Sequence, residues 1–150
     1  MSESVPTASA IINFSEKLED DSSRFYEKLA ERFGQNKELF LSFVQEGRKN
    51  KVLVTRTYRE TITDALEACF SFKGLRVSDY TAQTDLTEGI SRADALKIAV
   101  QLEEKACRFY SDAAECGKSL LATIPRAFKK VAEVRNKRKL KIVSLLESAK

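Results

Sequence analysis

Histidine is absent from this chain of 150 residues, and so is tryptophan. The first absence removes the commonest metal ligand and the side chain that most readily moves protons near neutral pH. Five glycines and two prolines are too few for the tight turns of a sandwich or barrel and point to an all-α chain. The three cysteines, Cys69, Cys107 and Cys116, are odd in number and form no C-x-x-C pair. That pattern argues against a disulfide framework or a zinc site and suits reduced thiols in a cytoplasmic protein. No apolar run approaches the ~18–20 residues of a membrane span. Met1 to Pro6 has neither the basic nor the apolar part of a signal peptide. A cytoplasmic protein with no membrane partner is expected.

What is present is ordinary in bulk and unusual in pattern. Hydrophobic content is 43%, charged content 32% and net charge +4, the balance of one globular domain with a proper core. Residues 1–9 read as a polar arm and 10–150 as a single domain. Thr7 or Ser9 is placed to cap a first helix whose stripe is Ile11, Phe14, Leu18, Ser22, Phe25, Leu29 and Phe33. Gly34 would end it in a left-handed conformation. Asn36 would cap a second, long helix carrying Leu39, Phe43, Leu53, Ile62, Leu66 and Phe70 and stopping before Gly74. A long connection follows, from about Lys73 to Ile90. Ser91 and Asp94 resemble a capping box for a third helix, which Gly117 closes. Pro125 suits the first turn of the fourth.

The chain states one pattern twice. Leu18-Glu19, Arg24-Phe25-Tyr26 and Ala30-Glu31 recur 84 residues later as Leu102-Glu103, Arg108-Phe109-Tyr110 and Ala114-Glu115. A second match aligns Val44-Gln45-Glu46-Gly47-Arg48 with Val131-Ala132-Glu133-Val134-Arg135, at an offset of 87. Two duplicated helix pairs joined by a long crossover predict a four-helix bundle of the ferritin type. Each helix then has a glutamate near its middle, beside Leu, Phe or Tyr. A buried carboxylate needs a cation, a metal or hydrogen bonds to offset its desolvation. Glu19, Glu46, Glu103 and Glu133 are therefore expected to converge at the bundle centre.

The doubled L-E-x-x-x-x-R-F-Y…A-E pattern, alternating with F-x-x-E helices, resembles the ferritin-like superfamily and its rubrerythrin branch, over residues 10 to 145. The resemblance implies Glu19 and Glu103 as metal ligands from the first and third helices, and Glu46 and Glu133 from two Glu-x-x-His motifs. The histidines of those motifs are replaced by Lys49 and Asn136, and a further helix-three carboxylate by Ala106. The resemblance implies two metal ions, irons in the family, where a site works, and manganese enters from the all-oxygen donor set. All-oxygen ligation favours Mn²⁺, Mg²⁺ or Ca²⁺ over Fe²⁺. Lys49 and Lys137 could instead neutralise the carboxylates, so that no metal is bound; Asn136 could hydrogen-bond a carboxylate in either case. Tyr26 and Tyr110 are placed beside the site, and Cys107, four residues after Glu103, near it.

Three functions follow. The first is a non-catalytic or partner-binding module with a vestigial dimetal site. The second is a metal-dependent oxidoreductase handling iron, oxygen or peroxide. The third is a nucleic-acid binder, suggested by the basic stretch from Arg126 to Lys150 and weakened by the small net charge and the scarcity of aromatics there. An unknown protein partner and a homodimer, with Leu66, Phe70 and Phe72 as a candidate contact, complete the expectation.

Overall fold

In the stretch from Ala8 to Arg32, apolar and small residues recur every three or four positions, so one face can leave water if the chain coils as a helix. It does so. The computed structural model describes residues 7–61, 75–116 and 123–148. Those residues form α1 (Ala8–Arg32), α2 (Lys37–Thr61), α3 (Arg92–Cys116) and α4 (Thr123–Ser148), with short 3-10 turns at Gly34–Asn36 and Val77–Tyr80. Among the described residues there is no β-strand and no helix long and apolar enough to cross a membrane.

Local chemistry sets most helix ends. Thr7 Oγ1 accepts from Ala10 N–H at 3.2 Å and caps α1. Ser91 Oγ accepts from Asp94 N–H at 3.0 Å and caps α3. Pro125 lies in the first turn of α4, where its missing N–H leaves no bond unmade. Gly34 departs from expectation. Its φ is not positive, and it opens a 3-10 turn instead of closing α1 in a left-handed cap. Asn36 does not cap α2 either; its side-chain carbonyl accepts from Arg92, which ties the α1–α2 turn to the start of α3. Gly74, Gly117, Cys69, Ile62, Leu66, Phe70 and Phe72 lie outside the described residues.

Cross-helix contacts fix the directions. Asp20 meets Lys51 and Glu16 meets Thr55, so α1 and α2 are antiparallel. Cys107 lies against Ala132 and Glu104 against Lys139, so α3 and α4 are antiparallel too. Tyr26 reaches Glu103 while Tyr110 reaches Glu19, which makes α1 and α3 antiparallel neighbours. The order is up, down, down, up, and α2 packs beside α4. Residues 75–90 return over α1 and α3. Tyr80 packs edge-on against Phe109 and donates to Asp112 at 2.6 Å, Lys105 donates to Asp79 O, and Arg32 donates to Thr87 O at 2.8 Å. Gly89, at φ +80°, makes the turn before α3.

Helices α1 and α2 approach most closely at Gly47. A Cβ there would lie 2.9 Å from Ser23 Oγ and 3.5 Å from Glu19 Oε1. A branched side chain has nowhere to go. Gly47→Val is expected to lose about 1–3 kcal/mol in urea unfolding. Gly34→Ala, with nothing within 4 Å of the new methyl, is expected to stay within about 0.5 kcal/mol.

Candidate functional site: a buried arginine–glutamate–tyrosine network

The core face of α4 runs through Ile124, Phe128, Val131, Arg135, Arg138 and Ile142, at helical spacings of four, three, four, three and four. Two guanidinium groups are therefore carried into the bundle by the same periodicity that buries the apolar residues. Arg135 is 0% and Arg138 1% exposed. Opposite them stand Glu19 on α1 and Glu103 on α3, 1% and 0% exposed.

Arg135 uses all of its donors. Nη1 donates to both oxygens of Glu103, at 2.9 and 2.8 Å. Nε and Nη2 donate to Glu19 Oε2 at 3.3 and 2.9 Å. Nη2 also donates to Ser22 Oγ at 2.9 Å, and Ser22 donates to Leu18 O within its own helix. A guanidinium has five N–H groups, and each has an acceptor. Burial alone would draw the Arg135 proton affinity down, but the Glu103 and Glu19 carboxylates outweigh it and hold the group well above its ordinary range.

The tyrosines complete the carboxylates in a crossed pattern. Tyr26 of α1 donates to Glu103 Oε2 at 2.5 Å, and Tyr110 of α3 donates to Glu19 Oε2 at 2.6 Å. Ser15 Oγ lies 2.9 Å from the Tyr110 hydroxyl and, with that proton committed to Glu19, donates to it. Asn50 of α2 donates to Glu19 Oε1 at 3.3 Å. Burial and the adjoining glutamates push both phenols well above their ordinary range, so they remain neutral donors.

Arg138 serves the rim. Nε and Nη2 lie 3.2 and 3.1 Å from Glu46 Oε1, and Nη2 also donates to Phe43 O. Its guanidinium lies 5.5 Å from the Tyr26 ring centroid and 5.1 Å from that of Phe43, positions that favour a cation. Nη1 pairs with Glu103 Oε2 at 3.8 Å, too far for a hydrogen bond, and has no hydrogen-bond partner among the described residues. The interior thus holds two carboxylates and two guanidinium groups, with Glu46 half-exposed at the edge.

Of the four expected glutamates, the structure brings together Glu19 and Glu103 and links Glu46 to them through Arg138. Glu133 is exposed on the outer face of α4. Lys49, Asn136 and Lys137 are exposed as well, so the cations facing the carboxylates are Arg135 and Arg138. The cause is register. Burial in α2 recurs in α4 at the same offset of 84 as in the first pair: Phe40 and Ile124, Phe43 and Ala127, Val44 and Phe128, Val54 and Arg138. An offset of 87 turns α4 by most of a helical turn and moves Glu133 toward the core. The sequence reading missed Arg135 and Arg138; the signal that could have found them is that they fill gaps in the apolar stripe of α4.

Among the described residues no group of three or more Cys, Asp or Glu could hold a metal ion. The donor set explains this: the guanidinium of Arg135 lies between the two carboxylates that would have to share the ions. Cys107 is half-buried and donates to Ala132 O at 3.4 Å; burial and then Glu103 raise its thiol above the ordinary range. It is a poor thiolate ligand.

Arg135→Met leaves two carboxylates facing each other in a dry site. It is expected to cost about 3–5 kcal/mol near neutral pH. The carboxyl pKa is then raised above its unfolded value of about 4.3. A raised folded-state pKa gives stability that is present at low pH and lost as pH rises. The variant should therefore recover part of the loss as pH falls toward about 5, in urea unfolding at a series of pH values. At the alkaline end, Tyr26 and Tyr110 should ionise only as the fold is lost. Stability should fall as pH rises past about 10, where the unfolded chain releases protons that the folded one keeps. Tyrosinate absorbance followed beside helical circular dichroism reads both.

Comparison of the chain with protein-family models, with curated proteins and with solved structures gives no match.

Proposed function

We propose that this protein is a ferritin-like bundle in which an internal arginine does the structural work of a dimetal centre, and that it acts as a binding module without metal-dependent catalysis. One observation carries the reading: Arg135 donates to both central carboxylates at 2.8–2.9 Å, from a fully buried position. A fixed positive charge there repels a divalent ion and fills the space the ion would need. Arginine does not lose its proton in proteins, so the block is not relieved by pH. The helix directions and the duplicated Glu19–Tyr26 and Glu103–Tyr110 spacings support descent from a ferritin-like plan. With the centre closed, contact with a partner falls to the surface.

The test is anaerobic titration of the metal-free protein with Fe²⁺ and then Mn²⁺, followed by calorimetry, with oxygen admitted at the end. No stoichiometric binding and no oxo-bridged absorption are expected of the parent. About two ions per chain, with that absorption on oxidation, would overturn the proposal in favour of a carboxylate-ligated oxidoreductase. Lys49→His/Asn136→His should remain without metal, because both positions point to solvent.

A further inference from the structure

The surface charge is divided unevenly between the helices. On α2 and α4 the exposed residues include ten Lys or Arg against four Glu; on α1 and α3 the figures are six against five. The excess on α2 and α4 exceeds the net charge of the whole chain, +4. These two helices are neighbours, so their outward faces form one surface.

The basic residues are ordered along it. Lys139 reaches Glu104, and Ala132 lies against Cys107, which fixes the flank of α4 that faces α3. Arg126, Lys130, Lys137 and Lys141, spaced four, seven and four residues apart, follow the other flank, toward α2, with Glu133 an exposed acid in the gap between Lys130 and Lys137. At 1.5 Å per residue this row is roughly 22 Å long. Lys49 and Arg56, seven residues apart, form a second row on α2, while Arg48 and Arg59 lie on its α1 side, over the groove that Glu16 and Asp20 line. Arg56 pairs with Glu60 in the open, at 72% and 69% exposure, a bond that a stronger anion can displace at little cost.

We propose that this face docks the phosphate backbone of double-stranded DNA. Two basic rows on adjacent helices, whose axes lie about 8–10 Å apart, are matched to phosphates on either side of a major groove about 12 Å wide. The major groove of duplex RNA is too narrow for that approach. Among the described residues of the two helices, Phe40, Phe43 and Phe128 are buried and Tyr58 is partly buried against the core, so no fully exposed ring is offered there on which single-stranded bases could stack. An anionic membrane would need a continuous apolar strip, whereas Leu41, Val52 and Leu140 stand apart as single exposed side chains. The proposal rests on the binding-module reading but not on the state of the interior.

The test is fluorescence anisotropy of a labelled random-sequence DNA duplex of roughly 25 base pairs, titrated with the full chain. Binding with Kd of about 1–100 μM near physiological salt is expected. Contact with about four phosphates gives a slope of log K against log salt of about −3 to −4, roughly a hundredfold loss between 50 and 200 mM. Lys130→Glu/Lys137→Glu/Lys141→Glu should lose about tenfold or more, while Lys17→Glu/Lys28→Glu/Lys97→Glu, with the same change in net charge, should stay within about threefold. Circular dichroism checks that each variant folds; Lys49→Glu/Arg56→Glu on α2 replaces the first set if it does not. Equal losses from both sets would reduce the effect to bulk charge and overturn the proposal. So would binding to phosphatidylserine vesicles, or to duplex RNA, in preference to DNA. Metal uptake by the parent would overturn the reading of the interior and leave this result standing.

Discussion

The structure depends on one cation held between two anions. Arg135 comes from α4, Glu19 from α1 and Glu103 from α3, so a single guanidinium joins three of the four helices. Asn50 brings in the fourth through Glu19. Taking such charges out of water costs several kcal/mol per ion, and their attraction offsets this only where geometry is good and the remaining lone pairs are used. Here all five N–H groups of Arg135 and all four oxygens of the two carboxylates have partners. The network contributes specificity as well as energy. A slip of one residue in α4 would move Arg135 by about 100° around its helix and leave two buried carboxylates without a cation.

The crossed tyrosines carry the same logic to α1 and α3. Each helix lends a phenol to the carboxylate of the other, and because the spacing from Glu to Tyr is seven residues in both, the exchange works only if the helices run antiparallel and in register. The duplication is therefore visible as geometry in this pair. It is broken in the other. Helix α4 supplies two cations to the centre, whereas α2 supplies an amide and a rim carboxylate. The two halves have become complementary: one pair of equivalent helices contributes the acids, and one member of the remaining pair contributes the bases. Small buried side chains at equivalent places, Ser22 and Ala106, fit a bundle centre that admits a guanidinium.

Much of the fold was legible because it is written in periodicity. The stripe from Ile11 to Leu29, the caps at Thr7 and Ser91, and the long connection between the duplicated pairs define the helices and the crossover without reference to distant contacts. The centre was half legible. Glu19 and Glu103 stand beside unambiguous apolar stripes, and a buried carboxylate demands a partner. The identity of the partner was harder. Lysines near Glu46 and Glu133 in sequence are near them on a helix surface, but proximity along one helix says nothing about which face turns inward. Burial of Phe128, Val131 and Ile142 decides that, and it places Arg135 and Arg138 inside. Gly34 misled for a related reason: a glycine after a helix permits a left-handed cap, while the chain that follows decides whether one is used.

The same helix then divides its charges by face. Arg135 and Arg138 point inward, where carboxylates cancel them, and Arg126, Lys130, Lys137 and Lys141 point outward, where Glu133 offsets only part of their charge. A compensated cluster of alternating charges has a field that fades over a short distance. A row with a net positive excess retains its field to roughly a Debye length, about 8 Å at physiological salt. A partner approaching the bundle therefore meets the lysine row before it meets any influence of the buried network. In that arrangement the interior determines how the helices are held, and the outer faces of α2 and α4 determine what they attract.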